Sequence, residues 1–303
     1  MNESAIIERF FAPLGGDDWA RPGDDCALLT PPEGKQLVLS MDTSLVGVHF
    51  PADCAAEDTG WRCLAVALSD LAACGADADF CLISLSIPSV DTAWLSGFTQ
   101  GLHQCLTRYN VRLVGGDLTC GSLAISVQVG GWIDNGYFLP RSGAQAGDII
   151  GVTGVLGKAA IGLQLSQTNS LSLTGSQKAD CLNAYLRPEP QLRTGKLLSS
   201  LANSCIDLSD GLAKDLSLIC QASGTGADLH SARIPCYRFG DRETALTRAM
   251  DAGDDYELCF SVAPEKLTKL QIDWHNIGTI SAMPGLRLDG TTYTGCGWDA
   301  FKQ

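Results

Sequence analysis

The chain has 303 residues, of which 45% are hydrophobic and 18% are charged. This balance is typical of a globular protein with room for about two domains, and it excludes a largely disordered chain. The net charge of −13 disfavours non-specific binding to nucleic acid or to an anionic membrane, and an anionic substrate would need metal ions to mediate its binding.

The thirteen cysteines are scattered singly, and no C-x-x-C pair occurs. A disulfide framework or a zinc ribbon would need paired spacing, so we expect mostly small core thiols in a reducing compartment. The N-terminal sequence MNESAIIERFF lacks the basic end and apolar stretch of a signal peptide. No apolar run approaches the ~18 residues of a membrane span. We therefore expect a cytoplasmic protein that binds neither membranes nor nucleic acid.

The first half of the chain alternates strands and helices. Strand character at 27–29 and 37–41, on either side of a Pro-Gly turn, predicts a hairpin that brings Asp24-Asp25 close to Asp42. The other predicted elements are helices over 3–11, 55–74 (capped by Gly75) and 90–109, and strands over 80–88, 111–114 (ending at Gly115-Gly116-Asp117) and 123–133.

The second half repeats this mixture after polar turns near 140–147. Strands are predicted over 148–153, 204–208, 227–230, 256–262 and 277–280, with helices over 158–167, 191–202 and from 209–211 to 222. The order of elements predicts an α+β fold of two α+β domains, residues 1–143 and 144–303. In the first domain the helices are expected to pack on one face of a sheet.

Several common catalytic patterns are missing. The segment from Val152 to Lys158 resembles a phosphate-binding loop, but Val152 replaces the first glycine and Ala159 replaces the metal-binding hydroxyl. A glycine-rich turn is the better interpretation. There is no G-x-G-x-x-G after a strand, no G-x-S-x-G, and no metal-ligand spacing among the four histidines.

What remains is a set of aspartates beside glycine or serine at the ends of predicted elements. Each alone is more often a turn former or a helix cap than a ligand. Asp70 is unusual because it lies near the negative end of a helix dipole, where a cation would remove the conflict. Carboxylate oxygens suit magnesium bound to phosphates, and phosphoryl transfer needs positioning and charge neutralisation. The recurrence of such aspartates along the chain therefore favours a magnesium-phosphate site. The candidate residues are Asp24, Asp25, Asp42, Asp70, Asp117, Asp207 and Asp210.

These residues belong to motifs that occur in one characteristic order along nearly the whole chain. With them the chain resembles the thiamine-monophosphate kinase family, in the superfamily of the aminoimidazole ribonucleotide synthetase fold. The motifs are Gly23–Ala27 (GDDCA), Ser40–Asp42 (SMD), His49-Phe50, Leu68–Ala76 (LSDLAACGA), Gly115–Asp117 (GGD), Arg141–Gly143 (RSG), Ile206–Leu212 (IDLSDGL) and Asp255–Leu258 (DYEL).

The resemblance implies a homodimer that forms through the sheet of the N-terminal domain, with the active site in the cleft between the two domains. It also implies direct transfer of the γ-phosphoryl group of ATP to thiamine monophosphate, giving thiamine diphosphate and ADP with the help of several magnesium ions. No phosphoenzyme is expected, and no nucleophilic side chain stands out in the sequence.

The resemblance also implies roles for single residues. Asp42 and Asp210 are the expected catalytic residues. Gly116, Asp117, Arg141 and Ser209 match positions that contact ATP, and a forked arginine suits a phosphate. His49, Asp254 and Trp298 match positions that contact thiamine monophosphate, where Trp298 could stack on the thiazolium ring. The implied metal ligands are Asp25, Ser40, Met41, Asp42, Asp70, Asp117, Asp207 and Asp210.

Two positions depart from the family pattern. Met41 stands where many members have threonine, so only its backbone carbonyl could bind a metal. Asp254 stands where glutamate is usual, and its shorter side chain withdraws the carboxylate by about one methylene.

Two alternatives to the kinase stay open at this point. One is another ATP-dependent member of the superfamily, such as aminoimidazole ribonucleotide synthetase. The other is a non-catalytic protein that binds nucleotide or metal.

Overall fold

The computed structural model describes residues 1–15, 22–168, 171–295, 297–299 and 301. The chain divides into two compact units: residues 1–71 with 76–136, and residues 72–75 with 137–303. The main division falls between Gly136 and Tyr137, a few residues before the domain boundary predicted from the sequence.

The first unit contains a four-stranded sheet with the strand order β1-β4-β2-β3. Strands β2 and β3 are parallel, and the other two pairs are antiparallel. The elements are α1 (Glu3–Ile6, continued by a π-helical turn to Phe11), β1 (Lys35–Leu45), α2 (Ala56–Ala73), β2 (Asp77–Ile87), α3 (Thr92–Tyr109), β3 (Arg112–Cys120) and β4 (Ala124–Asp134).

Glycines let helices α2 and α3 approach closely. A Cβ atom on Gly101 would lie 1.7 Å from Glu57 O, and one on Gly60 would lie 2.0 Å from Phe98 O. Asp91 caps α3 by accepting from the backbone N–H groups of the second and third residues after it. Alternate residues of β2 are buried from Cys81 to Ile87, which is the pattern of a strand with one covered face.

The predicted hairpin between residues 27–29 and 37–41 is wrong. Residues 26–32 have no regular secondary structure, and β1 pairs with β4 instead. Ala27 and Leu29 pack against a small cluster around Phe80 and Val114. Their apolar character thus reflects burial of a loop, which a local pattern does not distinguish from a strand.

Two strands also extend further than the sequence suggested. Strand β1 continues to Leu45 and β3 continues to Cys120, so Asp42 and Asp117 lie within strands. A sheet with a partly open face accepts polar residues at alternate positions, so a polar residue does not by itself end a strand.

The second unit is built on a seven-stranded sheet with the order β11-β10-β7-β9-β5-β8-β6. Among the described strand pairs of this sheet, only β7 and β10 are parallel. Its strands are β5 (Ile149–Val152), β6 (Ser204–Asp207), β7 (Gly226–Leu229), β8 (Leu258–Val262), β9 (His275–Ser281), β10 (Gly285–Leu288) and β11 (Thr291–Thr292). Its helices are α4 (Lys158–Thr168), α5 (Gly175–Leu186), α6 (Leu192–Leu198), α7 (Leu212–Ser223) and α8 (Arg242–Asp251).

The main core of this unit includes the inner face of α7. Leu212, Leu216 and Ile219 are buried in one cluster with Ile150 and Ile206 of the sheet. This packing fixes the N-terminal end of α7 next to the carboxyl end of β6. The predicted α+β fold is confirmed.

The twelve cysteines of the described residues are all free thiols, and most of them are buried. Cys296 lies outside the described residues. The helices of the part that the structure describes include none long and apolar enough to span a membrane.

Candidate active site

Three polar side chains meet where β1 passes the last turns of α2. Strand alternation puts Ser40 and Asp42 on one face of β1, and Ser40 Oγ donates a 2.5 Å hydrogen bond to Asp70 Oδ2. Burial, followed by the charge of Asp70, raises the pKa of Asp42 to about 6, as expected for neighbouring carboxylates in a partly buried place. The structure therefore brings three of the predicted metal ligands together.

Met41 lies between Ser40 and Asp42 on β1, so its side chain points to the opposite face. It is 62% exposed. Only the backbone carbonyl of Met41 is a possible metal ligand, as the sequence indicated.

Gly116 and Asp117 lie on the opposite edge strand of the same sheet. The register pairs Asp42 with Val127, Val127 with Ile83, and Ile83 with Gly116. Three strand spacings amount to about 14 Å, so one ion of ordinary coordination distance cannot bind both Asp42 and Asp117 of the same chain. Glycine is needed at position 116 because a Cβ atom there would lie 2.0 Å from Ile83 O.

Asp25 lies in the irregular segment that precedes β1. It is exposed, and its backbone N–H donates to Asp24 Oδ1 at 2.8 Å. The next residues of this segment, Ala27 and Leu29, pack beside Phe80 of β2 and Val114 of β3. The segment that carries Asp25 is therefore attached to the sheet at β2 and β3.

His49 closes a tight turn after β1. Its Nδ1 atom accepts a 3.0 Å hydrogen bond from the backbone N–H of Leu45. The backbone N–H of His49 in turn donates to Leu45 O at 2.9 Å. Because Nδ1 is an acceptor, the neutral ring carries its proton on Nε2. The imidazole is thus held by the backbone in one tautomer.

In the second unit, the turn from Asp207 to Gly211 joins β6 to α7. Asp207, at the end of β6, is only 5% exposed. The buried carboxylate of Asp215 accepts from the backbone N–H groups of Asp210 and Gly211 at 3.0 and 3.2 Å. A carboxylate in the first turn of a helix is favourably placed for such bonds. Asp215 therefore fixes the turn that presents Asp210.

Trp298 and Asp210 are joined through their backbones. The Trp298 N–H donates to Asp210 O at 3.0 Å. Lys214 Nζ lies 2.7 Å from Asp210 Oδ2 and donates to Trp298 O at 2.5 Å. The structure thus brings a predicted substrate contact next to a predicted catalytic aspartate.

Asp254 lies beside Ser209, to whose carbonyl its N–H donates at 2.9 Å. Asp254 and Tyr256 have φ values of +69° and +50°, which residues other than glycine rarely adopt. The Tyr256 hydroxyl donates to Asp254 Oδ1 at 3.1 Å and so orients this carboxylate. Strained backbone of this kind is often found at functional sites.

Two acidic side chains, those of Asp255 and Glu257, hold the segment that carries Asp254. The backbone N–H of Gly157 donates to both oxygens of Asp255, at 3.0 and 2.8 Å. Thr153 Oγ1 donates to Glu257 Oε2 at 2.6 Å. The glycine-rich turn after β5 therefore binds carboxylates of the protein itself, which agrees with a turn rather than a phosphate-binding loop.

Arg141 lies beside the outer edge of β6. The carbonyl of Pro140 accepts from the Cys205 N–H at 3.0 Å, and the N–H groups of Gly143 and Ala144 donate to Ser223 Oγ at 3.2 and 3.1 Å. Arg141 is exposed between these two attachments. Its guanidinium is therefore carried by a fixed backbone next to the strand that leads to Asp207.

The sequence assigned no role to Asp215, Lys214 or Tyr256, although Tyr256 lies in the DYEL motif. An acidic residue in the first turn of α7 is a recognisable signal for Asp215. Lys214 offered no such signal, because a lysine at an exposed helix start is usually a solvated charge. Tyr256 could not be recognised, since its role depends on an unusual backbone angle.

The donor chemistry of both units fits magnesium. In the part that the structure describes, no three side chains of Asp, Glu, His or Cys form a metal-binding group. Magnesium needs only one or two carboxylates, with waters and phosphate oxygens completing its coordination. The two carboxylates and one hydroxyl at Ser40, Asp42 and Asp70 satisfy that requirement, and they contain no soft ligand that would favour another metal.

Comparison with known proteins agrees with the motifs. Residues 23–133 match the family model described as AIR synthase related protein, N-terminal domain. Thiamine-monophosphate kinase from Escherichia coli (strain K12) is 45% identical over 268 residues, which cover 86% of this chain and 82% of that protein. The chain belongs to the thiamine-monophosphate kinase family.

Solved structures of thiamine-monophosphate kinases share the fold. The crystal structure of the protein from Stenotrophomonas maltophilia K279a is 36% identical, with a TM-score of 0.86, and the match covers 97% of this chain and 98% of that one. A structure of AaThiL complexed with AMPPCP and TMP is 26% identical, with a TM-score of 0.81, covering 99% of this chain and 94% of that one. Family and fold are thus as the sequence predicted.

Proposed function

We propose that the protein is a thiamine-monophosphate kinase, which transfers the γ-phosphoryl group of ATP directly to the phosphate of thiamine monophosphate. The observation that carries the proposal is the similarity over 99% of the chain to a protein whose complex holds AMPPCP, an ATP analogue, together with TMP. The products are thiamine diphosphate and ADP.

We further propose that the first unit binds magnesium through Ser40, Asp42 and Asp70. When bound, magnesium would neutralise the charge of the phosphate groups during transfer. Asp42 holds its carboxylate on the same face as the Ser40–Asp70 pair. Asp117, across the sheet, and Asp25 would serve other ions, so several ions are expected.

The second unit supplies the remaining metal ligands, Asp207 and Asp210, from the turn that Asp215 holds in place. We assign ATP contacts to Ser209 on this turn, to Arg141 beside β6, and in the first unit to Gly116 and Asp117. Arginine can donate two hydrogen bonds to one phosphate, which explains its use in an acidic protein.

Thiamine monophosphate is assigned to His49, Asp254 and Trp298. Trp298 is 42% exposed, and stacking of its indole on the thiazolium cation would be a cation–π contact. The carboxylate of Asp254, oriented by Tyr256, is a suitable acceptor for a positively charged or N–H-bearing ring.

A homodimer that forms through the first sheet is part of the proposal. Leu37, Leu39 and Met41 lie on one face of the edge strand β1 and are 49%, 50% and 62% exposed. Such a contiguous apolar patch is typical of an interaction surface. Leu39→Lys together with Met41→Lys is expected to give a monomer in sedimentation, whereas Leu197→Lys, at another exposed leucine, should not change the mass.

The proposed location is the cytoplasm. Free thiols throughout the described cysteines are consistent with a reducing compartment. Detection of the protein in a periplasmic or membrane fraction of its host would contradict this location.

Incubation with ATP, magnesium and thiamine monophosphate tests the function directly, with thiamine diphosphate as the measured product. Asp42→Asn and Asp210→Asn should each lower turnover by roughly 100-fold or more, whereas Asp180→Asn, at an exposed position of α5, should not change it. Formation of no thiamine diphosphate at any magnesium concentration would exclude the kinase. Production of aminoimidazole ribonucleotide from its formylglycinamidine precursor would then support the synthetase, and binding of nucleotide without turnover would support a non-catalytic protein.

A further inference from the structure

Lys214, in the first turn of α7, links the Asp210 turn to the C-terminal segment, by which we mean residues 293–295 and 297–299. Its ammonium lies 2.7 Å from Asp210 Oδ2 and donates to Trp298 O at 2.5 Å. The Trp298 N–H donates back to Asp210 O at 3.0 Å. The backbone of Trp298 is therefore held on both sides.

The C-terminal segment approaches Lys214 too closely for any residue with a side chain at position 297. Gly297 has a φ of +55°, and a Cβ atom on it would lie 2.6 Å from Lys214 Cβ and 3.0 Å from Asp210 O. A side chain there would be strained and would push the segment away from α7. Glycine at position 297 thus permits the contact between Lys214 and Trp298.

A second attachment lies further back along the segment. The Tyr293 hydroxyl donates to Asp251 Oδ2 at 2.8 Å. A Cβ atom on Gly295 would lie 2.4 Å from Asp251 Oδ1 and 2.7 Å from Ala213 Cβ. This attachment holds the start of the segment, so removal of Lys214 should release the end that carries Trp298 without detaching the whole segment.

The ammonium of Lys214 also occupies one side of the Asp210 carboxylate. A divalent cation on this carboxylate would be repelled by the ammonium, because two positive charges would share one acceptor. The same lysine is thus attractive for Trp298 and repulsive for a metal at Asp210.

We propose that Lys214 is a positioning residue for thiamine monophosphate, which places the indole of Trp298 and weakens cation binding at Asp210. This inference rests on the proposed roles of Trp298 and Asp210. It predicts that one substitution at Lys214 changes the affinity for thiamine monophosphate and the affinity for a cation at Asp210 in opposite directions. Loss of the charged donor should weaken binding of thiamine monophosphate by about tenfold and tighten cation binding at Asp210 several-fold.

Binding measurements on the full chain test this without turnover. Calorimetry measures thiamine monophosphate binding in the presence of magnesium and AMPPCP. Electron paramagnetic resonance measures Mn2+ binding, and Asp210→Asn defines the part that depends on Asp210. Lys214→Met should weaken the binding of thiamine monophosphate and tighten the binding of Mn2+. Lys214→Arg should restore the binding of thiamine monophosphate. Lys178→Met on α5 is the matched control.

Each outcome decides one question. If the unaltered protein does not bind thiamine monophosphate, the proposed function fails. If the unaltered protein binds thiamine monophosphate, two results overturn the inference about Lys214 while the function stands. In one, Lys214→Met binds thiamine monophosphate as well as the unaltered protein does. In the other, Lys214→Met loses affinity for both thiamine monophosphate and Mn2+. Gly297→Ala provides the same test with Lys214 intact. It should weaken thiamine monophosphate binding because it displaces the segment, and unchanged binding would contradict the inference even if Lys214→Met did not fold.

Discussion

The hydroxyl of Ser40 donates a 2.5 Å hydrogen bond to Oδ2 of Asp70 and so joins β1 to the last turns of α2. A carboxylate near the C-terminal end of a helix is unfavourable because it faces the negative end of the dipole. Asp42 adds a second negative charge beside it. The cluster of Ser40, Asp42 and Asp70 therefore lowers the stability of the folded protein, as is common at functional sites.

Asp42→Asn is expected to separate stability from activity. Without the second carboxylate, the repulsion with Asp70 disappears, so the metal-free variant should be as stable as the unaltered protein or more stable by about 1 kcal/mol. Its kcat should fall by roughly 100-fold or more if Asp42 has its proposed role, because a ligand of the cation on the reacting phosphates would be lost. Unfolding in EDTA and in magnesium, together with steady-state kinetics, measures both effects.

Asp180→Asn is the control for this experiment, since it removes one negative charge from an exposed position. Magnesium should raise the melting temperature of the control and the unaltered protein more than that of Asp42→Asn. Equal stabilisation of all three by magnesium would remove Asp42 from the metal site.

Trp298 substitutions should change the affinity for thiamine monophosphate selectively. The hydrogen bonds of Trp298 to Asp210 and Lys214 use only its backbone, so a change of side chain leaves the segment attached. Trp298→Ala is expected to raise KM for thiamine monophosphate by roughly 2- to 30-fold, the range of a cation–π contact. Trp298→Phe should keep most of the affinity. An unchanged KM for thiamine monophosphate in Trp298→Ala would show that the indole does not contact the thiamine ring.

The sequence predicted the long elements well because their signals are local. The helix expected over 90–109 occurs at Thr92–Tyr109, since Asp91 supplies its cap. The strand expected over 123–133 occurs at Ala124–Asp134. The hairpin at 27–41 failed because the true partner of β1 is β4, far along the chain, and local patterns contain no information on such pairing.

The candidate site was predictable where motifs carry it. Ser209, Asp210, Asp254 and Trp298 come from the motif resemblance, and the structure puts them next to one another. Lys214 was not predictable, because its partner Trp298 lies 84 residues further along the chain. A lysine at the positive end of a helix dipole gains nothing locally, so only the tertiary contact explains its place.

Asp254 substitutions should distinguish backbone strain from carboxylate chemistry. With φ at +69°, alanine at this position would be strained by about 1 kcal/mol, whereas glycine adopts the angle freely. We expect Asp254→Gly to unfold at the same denaturant concentration as the unaltered protein or a higher one, and Asp254→Ala at a lower one. Both variants should raise KM for thiamine monophosphate, since both lose the carboxylate that Tyr256 orients. Unchanged KM in both would remove Asp254 from the substrate site.

The buried carboxyl of Asp255 should make the stability of the second unit depend on pH. Burial raises the pKa of Asp255 from 3.8 to about 8, so between these values the folded protein holds a proton that the unfolded chain has released. Its contribution to stability is complete below the unfolded pKa and is lost as pH rises through the folded pKa, by up to about 1.4 kcal/mol per pH unit. Asp255→Asn keeps an acceptor for the Gly157 N–H but cannot ionise. Urea unfolding in EDTA from pH 5.5 to 8.5 should therefore show Asp255→Asn gaining stability relative to the unaltered protein as pH rises, whereas Asp180→Asn should run parallel to it. A constant difference between Asp255→Asn and the unaltered protein across this range would mean that Asp255 is ionised in the folded state.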